Sequence, residues 1–425
     1  MTLKRTVIVV LITLSGLMAL LRLAGNIVFA DPAIGAITPA RAQRFSAKQI
    51  ARGRALAAVG NCAACHTAPG GAALAGGLAL QTPFGVIYSD NITPDAKYGI
   101  GTWSKAAFDR AMREGIARDG EHLYPAFPYD YFARMKQGDL AALYAYLMTR
   151  TPVRQKKPAN RLDFPFNLRF LLTGWNLLFL SHSPIAADPN HSASWNRGRY
   201  LVKSLAHCGA CHTPRNWLEA RREGESLSGG VAEGWTAPAL NHNAPAPVLW
   251  TGAELETYLG TGTEAHHGAA AGPMRAVTNS LSTATPGDIH AIAVYIASKM
   301  PAAPPAHAPF TPVAKMTTAA AIVAGVCANC HGANALIADG RWPPLAASTA
   351  LEEGSPRNTI QILMNGLPLP SVSSAPFMPG FSAILTDAQI TQVAQYLREH
   401  IAHRKPWSDM ADLVRRIRAQ SQSQP

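Results

Sequence analysis

The chain has 425 residues, 48% hydrophobic and 15% charged, with a formal net charge of +12 and a mean hydropathy of +0.02. That length supports two to four domains of ordinary size, and the apolar content supplies a packed core. A basic balance serves nucleic acid, anionic lipid or acidic protein partners. With no nucleic-acid fold motif in the chain, lipid or protein is the expected partner, and the sparsely charged surface points the same way.

Residues 1–30 read as a signal peptide or an N-terminal anchor. Lys4 and Arg5 precede an apolar run from Thr6 to Leu21, Arg22 interrupts it, and Val28-Phe29-Ala30 resembles a small-residue cleavage site. The run is shorter than the ~20 residues of a full span. An uncleaved anchor would use Thr6 to Phe29, with Arg22 reaching to the interface. Both readings export the body of the protein.

The next stretch introduces the feature that organises the chain. Cys62-Ala63-Ala64-Cys65-His66 returns as Cys208-Gly209-Ala210-Cys211-His212 and as Cys327-Ala328-Asn329-Cys330-His331. Each is C-x-x-C-H, the pattern for covalent attachment of a c-type haem. Two thiols on one helical turn reach the two vinyl groups of a porphyrin, and the adjacent histidine supplies the proximal nitrogen to iron. Paired zinc loops would stand about 15–20 residues apart, much closer than these motifs. A redox dithiol needs no histidine after the second cysteine. All six cysteines belong to the three motifs, which leaves none for a disulfide. The sequence therefore predicts three covalently bound haem c groups, with His66, His212 and His331 as proximal ligands.

The repeat extends beyond the motifs. Helical segments precede them at 51–59, 197–205 and 318–326, and apolar residues at helical spacing mark closing helices at 139–147, 288–296 and 389–397, with Tyr146, Tyr295 and Tyr396 in register. This plan resembles the small class I cytochromes c. It implies an all-α fold of three tandem domains, 46–150, 195–300 and 316–403, joined by Pro-rich linkers.

Each unit needs a sixth iron ligand between motif and closing helix. Met274, in Gly272-Pro273-Met274, and Met378, in Pro376-Phe377-Met378-Pro379, are the candidates in the second and third units; the adjacent prolines stiffen their loops. In the first unit the corresponding residue is Phe127, in Tyr124-Pro125-Ala126-Phe127-Pro128, which cannot ligate iron. Met112, on a helix expected over 105–116, is the favoured substitute. His122, Met135 and an open site are the alternatives.

Residues 151–194 contain five prolines and an apolar stretch, Phe164 to Leu180, too interrupted to span a bilayer. It is expected to pack between units or against a partner, or to lie in a membrane surface. Residues 301–315 form a semi-rigid Pro-rich spacer. The tail 404–425 carries Lys405, Arg415, Arg416 and Arg418. It reads as a short basic helix with a solvated charged face, or one that meets anionic lipid.

Several longer stretches resemble the triheme cytochrome c subunit of membrane-bound bacterial dehydrogenases. They include Gly76-Gly77-Leu78, Thr82 to Pro94, Asp119 to Ala126, Trp195 to Leu201, His207 to Asn216 and Ala271 to Met274. The resemblance implies an electron-transfer subunit, rather than the catalytic one, on the periplasmic side of the inner membrane. It would take electrons from a dehydrogenase catalytic subunit of the molybdopterin, pyrroloquinoline quinone or flavin type and pass them to ubiquinone or a terminal oxidase. The alcohol and gluconate branches typically carry Met where this chain has Phe127. The Phe form with Met112 resembles the molybdenum-associated branch that oxidises aldehydes or N-heterocycles. Two alternatives from other classes are a free-standing periplasmic shuttle and a haem enzyme acting at the first haem.

Overall fold

A glycine sets the first helix pair. In α1 (Ala47–Val59), a Cβ on Gly53 would lie 1.9 Å from the Ala142 carbonyl oxygen and 2.7 Å from the Tyr146 Cβ. Only a residue without a side chain lets α1 cross α4 (Gln137–Met148) at this distance. Arg52, beside the glycine, reaches Asp139 in the first turn of α4 at 3.3 Å. The second unit repeats the joint. In α6 (Ala193–Lys203), a Cβ on Gly198 would meet the Ala291 oxygen at 1.9 Å. Arg197 meets Asp288 at 2.8 Å, at the start of α10 (Pro286–Ala297).

The computed structural model describes residues 31–38, 45–304, 310–312, 316–332, 345–367 and 378–423. Segment 1–30 and much of the spacer 301–315 lie outside them. The fold is mostly helical, at about 45%. The chain divides into two compact units, Met1–Ala186 with Lys203–His207, and Ala187–Val202 with Cys208–Pro425. The first motif belongs to the first unit and the other two to the second.

Short antiparallel ribbons stand within the helical frame, which departs from a purely helical expectation. β1 (Ala79–Thr82) pairs with β2 (Gly85–Tyr88), and β2 pairs with β3 (Arg161–Leu162). In the second unit β4 (Gly230–Ala232) pairs with β5 (Trp235–Ala237), and β6 (Thr263–Glu264) with β7 (Gly268–Ala269). Strands this brief carry no readable alternation.

Residues 151–162 are woven into the first unit rather than spacing it from the next. Besides the β2–β3 pairing, Asn91 Nδ2 donates to the Val153 carbonyl at 2.7 Å, and Asn160 Oδ1 accepts from the Tyr88 amide at 2.9 Å. The apolar stretch that follows folds into α5 (Leu171–Phe179). Its polar residues face inward: Asn176 bonds the Tyr129 hydroxyl at 2.7 Å and the Glu114 carbonyl at 3.1 Å. Leu177 and Leu178 are left 86% and 68% exposed. Among the described residues no helix is long and apolar enough to cross a membrane.

The third motif lies on α11 (Thr317–Ile322), a π-helical turn Val323–Cys327, and α12 (Ala328–His331). α11 packs against α14 (Asp387–Tyr396). No arginine precedes this contact on α11, and the partner of Asp387 comes from the tail. α15 (Met410–Ser423) buries Leu413, Val414 and Ile417 in the same core as Ile360, Ile390 and Val393. Its Arg418 pairs with Asp387 and donates to the Ser382 and Leu385 carbonyls. The tail is thus a structural helix of the third core, not a free basic face. Its apolar i, i+1, i+4 stripe is hidden in the sequence by the surrounding arginines.

Candidate haem-binding sites

The first motif occupies α2 (Cys62–His66), entered through Asn61 in the left-handed region. Gly76, with φ +73, donates its amide to the His66 carbonyl at 2.7 Å. A Cβ there would stand 2.5 Å from the Asp90 carbonyl carbon, so the glycine admits the strand end beside the motif. The Asp90 carbonyl oxygen then lies 2.6 Å from His66 Nδ1. The loop is held in place by Asn91 Oδ1, which accepts from the Thr93 amide at 2.9 Å and its hydroxyl at 2.7 Å.

The second motif, Cys208 followed by α7 (Gly209–His212), repeats this construction. Gly229, φ +96, donates to the His212 carbonyl at 2.9 Å, and the Pro238 carbonyl, next after β5, lies 2.7 Å from His212 Nδ1. Thr67 and Thr213, each following the histidine, accept the Leu74 and Leu227 amides at 3.1 and 3.0 Å.

In both sites Nδ1–H is committed to a backbone carbonyl, which fixes the tautomer and leaves Nε2 with its lone pair for iron. Burial lowers the pKa of His66, His212 and His331, and a neutral imidazole is the form that ligates. Burial, with the second cysteine of each pair, pushes the Cys62 and Cys208 thiols up to about 12. All six cysteines are free of disulfides. Two thiols and a neutral, carbonyl-braced imidazole within one helical turn fit a c-type haem. Residues beyond Gly332 on the His331 side lie outside the described residues until 345.

The sixth-ligand candidates share a second repeat. A helix ends in a positive-φ glycine after each motif: α3 (Lys105–Glu114) at Gly115, φ +67; α8 (Gly252–Thr261) at Gly262, φ +79; and α13 (Arg357–Asn365) at Gly366, φ +69. A small hairpin follows. The Leu123 amide returns to the Gly115 carbonyl at 2.6 Å, and the Ala270 amide to the Gly262 carbonyl at 2.8 Å. Counted from these bonds, Phe127 and Met274 hold the same position. Met274 lies in the first turn of α9 (Gly272–Leu281), and Gly272, φ +50, lies under the Trp235 ring where a Cβ would come within 2.4 Å. Trp235 opens β5 and Pro238 follows it, so one strand braces both the His212 side and the Met274 side. Met378 is pinned by reciprocal backbone bonds to Leu367, 2.8 and 3.0 Å.

Phe127 packs on Phe132 and Tyr129, with centroids 5.3 and 6.3 Å away. Met112 is buried in α3, three residues before the capping glycine, the place held by Leu259 and Leu363 in the other helices. His122 turns Nε2 toward the Thr173 hydroxyl at 3.2 Å and Asp31 at 3.4 Å. Met135 is 2% exposed, and its carbonyl accepts from Arg113.

Two family models match the chain: cytochrome c over residues 50–151, and the cbb3-type cytochrome c oxidase subunit III model over 314–397. Among similar proteins, a subunit of the nicotinate dehydrogenase of Pseudomonas putida is 46% identical over 400 residues, 91% of this chain and 33% of that protein. This chain thus spans a third of that relative's length. The fructose dehydrogenase cytochrome subunit of Gluconobacter japonicus is 38% identical, covering 95% of this chain and 89% of the relative. The cytochrome c subunit of the quinone alcohol dehydrogenase of Gluconacetobacter polyoxogenes is 36% identical, covering 87% and 84%. The chain belongs to the family of cytochrome c subunits of dehydrogenases. Cytochrome c domains imply covalently bound haem c, and relatives of this kind support electron transfer from a catalytic subunit.

Proposed function

We propose that this chain is a triheme electron conduit: three tandem class I cytochrome c domains, 46–150, 195–300 and 316–403, each with one covalent haem, the first extended by residues 151–162 and the third by the tail helix α15. Cys62 and Cys65, Cys208 and Cys211, and Cys327 and Cys330 make the thioether bonds. His66, His212 and His331 are the proximal ligands, Met274 and Met378 the sixth ligands of the second and third haems, and Met112 that of the first. When bound, each haem supplies a one-electron Fe(III)/Fe(II) couple. The chain's own residues set its potential through ligand identity, burial and the carbonyl bonds to Nδ1. The observation that supports this reading is the repeated brace, His66 to Asp90 and His212 to Pro238, on the first two of the three C-x-x-C-H motifs.

The reading extends to direction and place. Electrons arrive from a periplasmic dehydrogenase catalytic subunit and leave to ubiquinone or a terminal oxidase, at the periplasmic face of the inner membrane. Residues 1–30 serve as its export signal or anchor. The exposed Leu177 and Leu178 of α5, opposite its inward polar bonds, supply a contact strip for a partner or the membrane surface. Phe127, and the similarity to a nicotinate dehydrogenase subunit, favour a molybdopterin partner that oxidises an aldehyde or N-heterocycle over quinoprotein or flavin partners. The test is cofactor analysis of the complex purified from its native membrane through a tag on this chain. Molybdenum, with iron beyond that of the haems, supports the assignment. Pyrroloquinoline quinone or flavin overturns the choice of branch, and a chain that purifies alone overturns the dedicated partnership.

A further inference from the structure

The hairpin leading to Met274 carries a cluster that the haem reading does not use. Glu254, Glu264 and His266 each direct one donor atom into a common space, all within 4.8 Å of one another. His266 Nδ1 lies 3.0 Å from Glu254 Oε1 and 3.5 Å from Glu264 Oε1. Zinc bonds of about 2.0–2.2 Å in a tetrahedron place neighbouring donors roughly 3.3–3.5 Å apart, so these separations need little adjustment.

Both carboxylates are held before any ion arrives. The other oxygen of Glu254 accepts the Thr251 amide at 2.8 Å, in the capping box of α8. The other oxygen of Glu264 accepts the His266 and His267 amides at 2.6 and 3.1 Å. Each glutamate therefore keeps one oxygen aimed at the shared space.

A separate observation comes from His267. Its side chain is 1% exposed with Nε2 3.7 Å from Glu254 Oε2, and neither ring nitrogen has a hydrogen-bond partner. The ring is stacked on Trp250, centroids 3.4 Å apart, which fixes its plane. A buried imidazole whose one neighbour, Glu254 at 3.7 Å, is too far for a well-formed hydrogen bond is costly unless something else satisfies it. The His266 side chain, 66% exposed, leaves the cluster open to solvent on one side.

We propose that Glu254, Glu264 and His266, with His267 behind them, bind a divalent transition-metal ion of the zinc class. Imidazole nitrogens together with carboxylates suit zinc and its first-row neighbours better than calcium or magnesium, which take oxygen ligands. The ion takes the place of the hydrogen bond between His266 Nδ1 and Glu254 Oε1. It ties the hairpin to the start of α8, a few residues ahead of Met274.

The test uses the haem-loaded full-length protein, in which the cysteines are covalently engaged. It is dialysed against chelator, equilibrated with zinc alone, and bound zinc is measured against haem iron by mass spectrometry of the elements. The expected result is one zinc per chain, with His266→Ala and Glu264→Gln each weakening binding by at least about tenfold and leaving the haem absorption spectrum unchanged. X-ray absorption at the zinc edge then shows imidazole in the first coordination sphere. No zinc retained by the parent protein, or the same zinc retained by His266→Ala, overturns the proposal. His266→Ala keeps the test valid should Glu264→Gln fail to fold, because the His266 side chain is largely exposed.

Discussion

At Gly53 and Gly198 a single methyl group is enough to push a helix pair apart. The Ala142 and Ala291 carbonyls lie where the methyl would go, and no rotamer change relieves a backbone clash. Gly198→Ala is expected to destabilise the second unit by roughly 1–3 kcal/mol or more, measured as a lowered thermal midpoint by circular dichroism; an unchanged midpoint would contradict the crossing. Met112 offers a test of ligation by a substitution the fold tolerates, because leucine already stands at its register in Leu259 and Leu363. Met112→Leu should leave folding intact and turn one low-spin haem into a high-spin species that binds carbon monoxide. An unaltered spectrum would make Met112 a core residue. The cysteines, histidines and Met274 stand out in the sequence because the proposed ligation would demand particular side chains at particular spacings. The carbonyls of Asp90 and Pro238 are not, since any residue supplies a carbonyl and only the glycines at 76 and 229 betray where the chain doubles back.

Whole elements are legible where packing is periodic. The opening and closing helices follow the apolar spacing, and α3 ends at Glu114 because Gly115 takes the left-handed cap. The tail helix reads as a charged face because its arginines dominate the composition, while Met410, Leu413, Val414 and Ile417 do the packing. Ile417, fully buried, tests that packing: Ile417→Ala is expected to cost about 2–5 kcal/mol, followed by chemical denaturation, whereas a solvated tail would show no loss. The third core also holds a titrating group. Burial raises the Glu353 carboxyl from 4.5 to about 8, against a lowering bond from Asn358. That amide in turn pairs with β5, donating to the Thr236 carbonyl at 2.8 Å and accepting its amide at 2.9 Å. The folded state therefore binds the proton more tightly than the unfolded one. The stability it contributes is full below about pH 4.5 and is lost as pH rises toward 8. Glu353→Gln should flatten that slope in denaturation series across this range; an unchanged slope would assign the pH dependence elsewhere.

Around the first two motifs the same local design recurs: a glycine-crossed helix pair, a motif helix, a ribbon that returns a carbonyl to the histidine, and a glycine-capped helix ahead of the sixth-ligand candidate, the last of which is repeated after the third motif. The three motifs carry the repeat in their side chains, so it is visible in the sequence without any of its contacts. Two departures from it stand out. Phe127 replaces the Met274 position in the first unit, and Arg418 replaces the arginine of the opening helix in the third. The central claim is the number and use of the haems. Intact mass measurement of the denatured full-length protein, joined to an anaerobic reductive titration of the native protein, reads both. The expected result is the mass of three covalent haems on every chain and three electrons taken up per chain. A protein that carries two haems, or three of which one takes up no electron, would contradict it.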